Sequence, residues 1–111
     1  MKTVTLADAP PYDTARLVAA PFLDGQQSNV RVIRLSPGQS LPPHSHGTSD
    51  LMLFAVEGTG VLATDDGTEA LAAGTLAYYR GDELLRVTND GEVGLTLLAF
   101  LAPQFPTGTA T

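Results

Sequence analysis

The chain has 111 residues, of which 43% are hydrophobic and 16% charged, and it contains no cysteine. This balance is typical of one globular domain, and the lack of thiols excludes disulfides, cysteine nucleophiles and thiolate zinc sites. Twelve acidic residues against six scattered basic ones give a net charge of −6, so we expect neither nucleic acid nor a membrane surface as a partner.

The first residues set the expected location and boundaries of the domain. No apolar run approaches the roughly 20 residues that cross a bilayer, and the start has no apolar segment of the kind found in secretory signals. We therefore expect a cytoplasmic protein with a single domain over residues 1–111. Its core is expected at about residues 28–102, with an N-terminal arm of strands over 1–27 and a loose tail over 103–111.

Short apolar segments separated by turn residues recur along the whole chain. They cover residues 15–23, 29–36, 50–57, 59–66, 68–74, 75–80, 83–89 and 93–102, and each has the length of a β-strand. Asp66-Gly67 and Asp90-Gly91 are typical of hairpin tips, because such pairs suit the positive-φ positions of tight turns. Regularly spaced strands with turn signals predict an all-β sandwich or barrel.

The segment at residues 51–56, LMLFAV, is apolar on both faces of a strand. A strand with one wet face would alternate with polar residues, so its second face needs a cover. Either the N-terminal segment at about residues 17–23 or a second copy of the chain can supply that cover. The second alternative predicts a homodimer.

Two histidines, His44 and His46, are the only imidazoles in the chain and stand one residue apart. In a strand, residues two apart point to the same face, so both rings are expected to enter one end of the barrel. Gly38 precedes His44 with five residues between them, and an apolar strand follows and ends at Gly58. This pattern resembles the first sequence motif of the cupin family.

A second cupin motif is present in weakened form. Gly74 is followed after five residues by Arg80, in a position where cupins usually have proline, and the series closes on Asn89. The resemblance covers about half of the chain. It implies a small single-domain cupin, an all-β jelly-roll barrel also described as a double-stranded β-helix.

The departures from the family pattern concern the metal ligands. Cupins usually hold a metal with both histidines and a glutamate of the first motif and a third histidine of the second. Here Leu51 stands in the glutamate position and Leu85 in the third-histidine position. The implied cofactor, a divalent Fe, Mn, Ni or Zn, is left with two of its four usual ligands.

Asp50 is the one carboxylate near the missing glutamate position. Counted from His46 it falls within the spacing of the family, whereas counted from Gly58 it is one residue out of step. In a regular strand that offset turns the side chain to the opposite face, and a bulge before Leu51 would bring it back. The implied metal ligands are therefore His44, His46 and, with the register left open, Asp50.

The two leucines also predict the character of the barrel interior. If Leu51 and Leu85 point inward, Leu53 and Val87 on the same strand faces do so too, and the interior becomes an apolar pocket with imidazoles at its rim. Of the adjacent tyrosines, Tyr78 is assigned to the interior. A fully packed interior without a cavity is the alternative. The predicted pocket residues are His44, His46, Leu51, Leu53, Tyr78, Leu85 and Val87.

These observations favour a cupin that binds a small organic ligand in an apolar pocket beside a degenerate metal site. The enzymatic alternative is a metal-dependent dioxygenase or isomerase-like cupin that uses His44, His46 and Asp50. A third class is a structural protein whose apolar strand face docks on another protein. Fold alone does not decide among them.

Overall fold

A computed structural model describes residues 1–104, and this part of the chain is almost entirely β-structure. A short 3-10 helix at Leu6–Asp8 precedes the strands. No helix within residues 1–104 is long and apolar enough to span a membrane. The strands are β1 (Val18–Asp24), β2 (Asn29–Leu35), β3 (Ser40–His44), β4 (Asp50–Glu57), β5 (Thr59–Thr64), β6 (Gly67–Ala72), β7 (Leu76–Tyr79), β8 (Leu85–Thr88) and β9 (Leu95–Ala102).

The strands form two antiparallel sheets that enclose one core. The five-stranded sheet has the order β1-β2-β9-β4-β7 and the four-stranded sheet the order β3-β8-β5-β6. Alternate residues of both sheets point inward and pack together, as the period of a strand requires. The buried cluster consists of Ile33, Leu35, Leu41, Leu51, Leu53, Ala55, Leu62, Leu71, Tyr79, Leu85, Val87, Leu95, Leu97, Ala99 and Leu101. The all-β jelly-roll expectation is confirmed.

Strand β4 shows what lies on its second face. Leu51 and Leu53 are fully buried, whereas Met52 and Phe54 on the outer face are 42% and 36% exposed. The expected cover by residues 17–23 is wrong, because those residues belong largely to β1, an edge strand of the same sheet that pairs with β2. Within the described chain the outer face of β4 thus stays partly exposed at Met52 and Phe54.

The two Asp-Gly pairs have different roles. Strands β5 and β6 form a hairpin in which Thr64 pairs with Gly67, so the predicted tip at Asp66-Gly67 is confirmed with a shift of one residue. Asp90-Gly91 is not a hairpin tip, because it joins β8 of one sheet to β9 of the other.

Asn89 holds that connection between the sheets. Its buried amide donates to the carbonyls of Leu35 at 2.8 Å and Val93 at 2.9 Å, and its Oδ1 accepts from the Gly91 N–H at 3.0 Å. A side chain therefore supplies the hydrogen bonds that a tight turn would have made between backbone groups.

Strand β3 is not among the strands that the apolar segments predict, and it ends at His44, so His46 lies beyond the strand assumed for the histidine pair. Its segment, SLPPH, carries Pro42 and Pro43, which cannot donate backbone hydrogen bonds. The strand lies at the edge of its sheet and pairs only with β8, with an irregular register between Leu41 and His44. Prolines are tolerated at such an edge.

The predicted loose tail over residues 103–111 lies mostly outside the described residues. Its first two residues contact the body of the domain. The Ser49 hydroxyl donates to the Pro103 carbonyl at 2.7 Å, and the Gln104 amide donates to the Gly25 carbonyl at 3.1 Å.

Candidate functional site

The histidine segment lies where β3 ends and turns toward β4. His44 is the last residue of β3 and pairs with Leu85 of β8, so the histidine and the leucine stand side by side on neighbouring strands. The His46 backbone N–H donates to the Gly81 carbonyl at 2.7 Å. The segment is thus held by the four-stranded sheet on one side and by the β7–β8 connection on the other.

A close backbone approach fixes the position of this segment. A Cβ atom on Gly81 would lie 2.2 Å from the Gly47 carbonyl oxygen and 2.6 Å from that of Ser49. Only a residue without a side chain allows the β7–β8 connection to pack so tightly against the histidine segment. Gly47 itself has a φ of +62°, a left-handed conformation that favours glycine.

The two imidazoles contact each other edge to face. Their ring centroids are 4.6 Å apart with an interplanar angle of 64°. Nδ1 of His44 lies 2.9 Å from the Pro42 carbonyl and donates to it, because a carbonyl can only accept. In the neutral tautomer this leaves Nε2 of His44 as the ring acceptor.

His46 is almost completely buried, with 5% of its surface exposed. Burial, followed by the positive charges of His44 and Arg31, lowers its pKa from 6.5 to about 4. At neutral pH the His46 ring is therefore uncharged and acts as a hydrogen-bonding group.

The histidines open into a cavity of about 210 Å³ between the two sheets. Most of its wall is aliphatic, and the polar side chains in the wall are those of the two histidines and one arginine. The lining residues are Ala19, Arg31, Ile33, Leu41, Pro42, His44, His46, Leu51, Leu85, Ala99 and Leu101. Apolar walls with a few convergent polar groups are typical of sites for small organic molecules. A fully packed interior is not what the structure shows.

Arg31 is the site residue that the sequence analysis missed. It lies in β2, pairs with Ala99 of β9 and shares the inner face with Ile33. Strand β2, NVRVIRL, has apolar residues on both faces and one arginine on each, so its pattern does not tell which arginine points inward. The other arginine, Arg34, lies on the outer face, where it donates to Thr96 at 3.2 Å.

The predicted pocket residues divide into three groups. His44, His46, Leu51 and Leu85 line the cavity together, as the motif positions indicated. Leu53 and Val87 point inward but belong to the packed core beyond it. Tyr78 was placed wrongly, because it is 53% exposed on the outer face of the sheet.

The register of β7 explains the error at Tyr78. Tyr79 pairs with Leu51, whose side chain points inward, whereas Tyr78 pairs with Met52, whose side chain points outward. Tyr79 is accordingly buried, and its hydroxyl donates to the Ala63 carbonyl at 3.2 Å. Tyr79 packs in the core and is not part of the cavity wall.

The structure places Asp50 on the face away from the histidines. It is exposed, and its Oδ1 accepts a hydrogen bond from the Tyr78 hydroxyl at 3.0 Å on the outer side of the sheet. The next residue, Leu51, points into the cavity, and the β4 register is regular from Asp50 to Ala55. No bulge returns the carboxylate, so Asp50 does not join His44 and His46 as a third ligand.

The site therefore does not fit a cupin metal. Within residues 1–104, no group of three or more histidine, aspartate or glutamate side chains is arranged to hold a metal ion. The cavity wall offers two imidazoles and a guanidinium, and a guanidinium repels a divalent cation. Known catalytic zinc and iron sites use three protein ligands.

A second cavity of about 460 Å³ lies between the edge strands β6 and β7. Its wall carries Asp66, Glu69, three threonines and the adjacent Tyr78 and Tyr79, but neither histidine. It is larger but has no convergent imidazole or guanidinium groups. The smaller cavity is the better candidate site.

Comparison with known proteins agrees with this architecture. Residues 31–101 match the family model described as the cupin domain. The protein TT1209 of Thermus thermophilus is 25% identical and superposes with a TM-score of 0.85 over 94% of this chain and 99% of its own. No curated protein sequence gives a significant match.

Two further structures show the same fold at lower identity. An RmlC-like cupin from Desulfovibrio desulfuricans has 23% identity and a TM-score of 0.83, with 95% of this chain and 99% of its own covered. A protein of Thermotoga maritima described as a predicted oxalate decarboxylase has 18% identity and a TM-score of 0.78, with coverages of 92% and 99%. At these identities the likeness concerns the fold.

Proposed function

The chain belongs to the cupin family, and from this premise we propose that it binds a small organic ligand in the cavity beneath His44 and His46, without a bound metal. The observation that carries the proposal is the cavity of about 210 Å³. Pockets for drug-sized molecules measure roughly 300–1,000 Å³, so a ligand here is smaller than a typical drug. An apolar cavity of about 150 Å³ is large enough for benzene, so a single ring with a polar group matches the available space.

The wall supports binding of an apolar body with one polar end. Ile33, Leu41, Leu51 and Leu85 supply aliphatic contacts, while the two histidines stand among them as hydrogen-bonding groups. Burial of an apolar ligand surface contributes roughly 25 cal/mol per Å². The two leucines that replace metal ligands thus extend the apolar wall.

The enzymatic alternative, a metal-dependent dioxygenase or isomerase-like cupin, has weaker support. It needs Asp50 beside the histidines, and Asp50 instead accepts from Tyr78 on the opposite face. We derive no catalytic step through a metal from this site. The proposed role is that of a binding or sensing module.

A cavity-filling substitution tests the proposal. Ala99 is 4% exposed and lines the cavity, so Ala99→Leu would occupy part of the space that the ligand needs. We expect wild-type protein to bind members of a library of small one-ring compounds in ligand-detected NMR, and Ala99→Leu to lose that binding while it keeps its β-sheet circular dichroism. The matched control is Ala77→Leu, which fills the second cavity instead. Equal binding by wild type and Ala99→Leu would contradict the proposal.

We also propose that a second copy of the chain covers the outer face of the five-stranded sheet. This face carries large apolar side chains on three neighbouring strands, with the Asp50 carboxylate beside Tyr78 at one end. Their exposed fractions are 42% for Met52, 36% for Phe54, 64% for Leu76, 53% for Tyr78 and 41% for Phe100. Contiguous apolar patches on a domain mark association sites, and closed symmetric dimers are the commonest assembly.

Size-exclusion chromatography with light scattering tests this dimer. We expect a dimeric mass at micromolar concentration, and a monomeric mass for Phe54→Lys, since a lysine would place a charge in the apolar face. Val93→Lys, at an exposed position in the connection before β9, is the control that should remain dimeric. A monomeric mass for the wild type would contradict the dimer proposal, but it would not bear on the proposal that the cavity binds a ligand.

A further inference from the structure

Arg31 gives the cavity a charge that the proposed function does not use. Arg31 is part of the cavity wall together with His44 and His46. Among residues 1–104, no aspartate or glutamate lines the cavity. In a chain with a net charge of −6, the candidate site is thus a locally positive surface.

The Nε atom of Arg31 is a buried donor. It has no hydrogen-bond partner among the described residues. The ion pairs in residues 1–104 engage Arg80, with Asp82 and Glu83, and Arg86, with Asp65, but not Arg31. A buried donor of a charged group is costly when its hydrogen bond is not made.

We infer that the ligand of this cavity is a small monocarboxylate, whose carboxylate is held by the Arg31 guanidinium and whose apolar body lies against Ile33, Leu51 and Leu85. This inference rests on the proposed function and names the chemical class of its ligand. A guanidinium presents a planar fork of donors that matches the two oxygens of a carboxylate.

The other polar groups of the wall agree with this assignment. Nδ1 of His44 is engaged with the Pro42 carbonyl, so Nε2 is the ring nitrogen of His44 that remains for a ligand. One guanidinium matches one carboxylate. The volume of about 210 Å³ matches an acid with one ring or a short branched chain, such as benzoate or isovalerate.

Matched pairs of acids and amides provide the test. Calorimetric titration at pH 7.5 would compare benzoate with benzamide, and isovalerate with isovaleramide, since each pair differs in charge but hardly in shape. We expect wild-type protein to prefer the acids by roughly ten- to hundredfold, the range for hydrogen bonds that involve a charged group. Arg31→Met, which keeps an apolar stem, should lose this preference and still bind the amides.

The control variant is Arg86→Met, because Arg86 contacts Asp65 at the surface at 3.2 Å and does not line the cavity. It should keep the wild-type preference. If wild-type protein binds acids and amides equally, the carboxylate inference is overturned and the pocket remains. If no compound binds, the proposed function itself fails. If Arg31→Met does not fold, the acid–amide comparison on the wild-type protein still decides.

Discussion

The buried His46 ring predicts a specific loss of stability in mild acid. Burial lowers its pKa to about 4 in the folded protein, against 6.5 for an unperturbed histidine. Between these values the unfolded chain binds a proton that the folded chain does not, so the free energy of unfolding falls as the pH falls. The contribution of His46 is fully present above pH 6.5 and is lost progressively down to about pH 4.

The size of this effect follows from the two pKa values. Between pH 7.5 and pH 5 the linkage of one such group removes about 2 kcal/mol from the free energy of unfolding. Complete loss below the folded pKa amounts to about 3 kcal/mol. Since a single domain is stable by only about 5–15 kcal/mol, the change is readily measured.

Urea unfolding at pH 7.5 and pH 5, followed by circular dichroism, is the assay. His46→Gln keeps a polar side chain but does not titrate, so its stability should fall by about 2 kcal/mol less than that of the wild type over this interval. Carboxylates also titrate in this range, but they contribute equally to both proteins. Subtracting the pH-dependent change in the free energy of unfolding of one protein from that of the other therefore removes their contribution. Equal pH dependence in both proteins would refute the claim that His46 is buried in its neutral form.

Two further substitutions test the geometry around the histidines. Leu85→His places an imidazole beside His44 on the neighbouring strand, so we expect Zn²⁺ at about 100 times its dissociation constant to raise the free energy of unfolding by about 2.7 kcal/mol. Zinc binding no tighter than in the wild type would show that Leu85 faces elsewhere. Gly81→Ala would put a Cβ 2.2 Å from the Gly47 carbonyl, so it should cost about 1–3 kcal/mol of stability in a thermal melt and weaken ligand binding. Gly25→Ala, whose Cβ meets nothing closer than 3.3 Å, is the control, and an equal loss there would count against the close approach.

Much of the fold follows from local sequence signals. Short apolar segments and turn residues predicted most of the strands, and the resemblance of the histidine and glycine spacing to the cupin motifs implied the jelly roll. The predictions were wrong where a local sequence signal disagreed with the way in which the strands pair in the sheets. The edge strand β3 was not predicted because it contains Pro42 and Pro43, which are rare in strands. Asp90-Gly91 has the residue types of a hairpin turn, but hydrogen bonds of Asn89 hold this segment as a crossover between the two sheets.

The site was predicted only in part. The motif positions indicate which residues lie close together, but they do not show which side chains of a strand point into the barrel. Leu51 and Leu85 were placed correctly beside the histidines. Whether the Asp50 side chain points toward the histidines depends on the presence of a bulge in β4, and the sequence does not indicate whether β4 has one. Strand β7 has a tyrosine on each of its faces and strand β2 has an arginine on each, so residue type does not show whether Tyr78 and Arg31 point inward. The pairing of β7 with β4 and of β2 with β9 shows it.

The central claim is that the cavity beside His44 and His46 binds a small organic acid without a metal. The most direct measurement is a calorimetric titration of untagged, chelator-treated protein, verified as metal-free by elemental analysis, with benzoate and isovalerate. We expect saturable binding at one site per chain, unchanged when Fe²⁺, Mn²⁺, Ni²⁺ or Zn²⁺ is added. Binding that occurs only after one of these metals is added would contradict this claim.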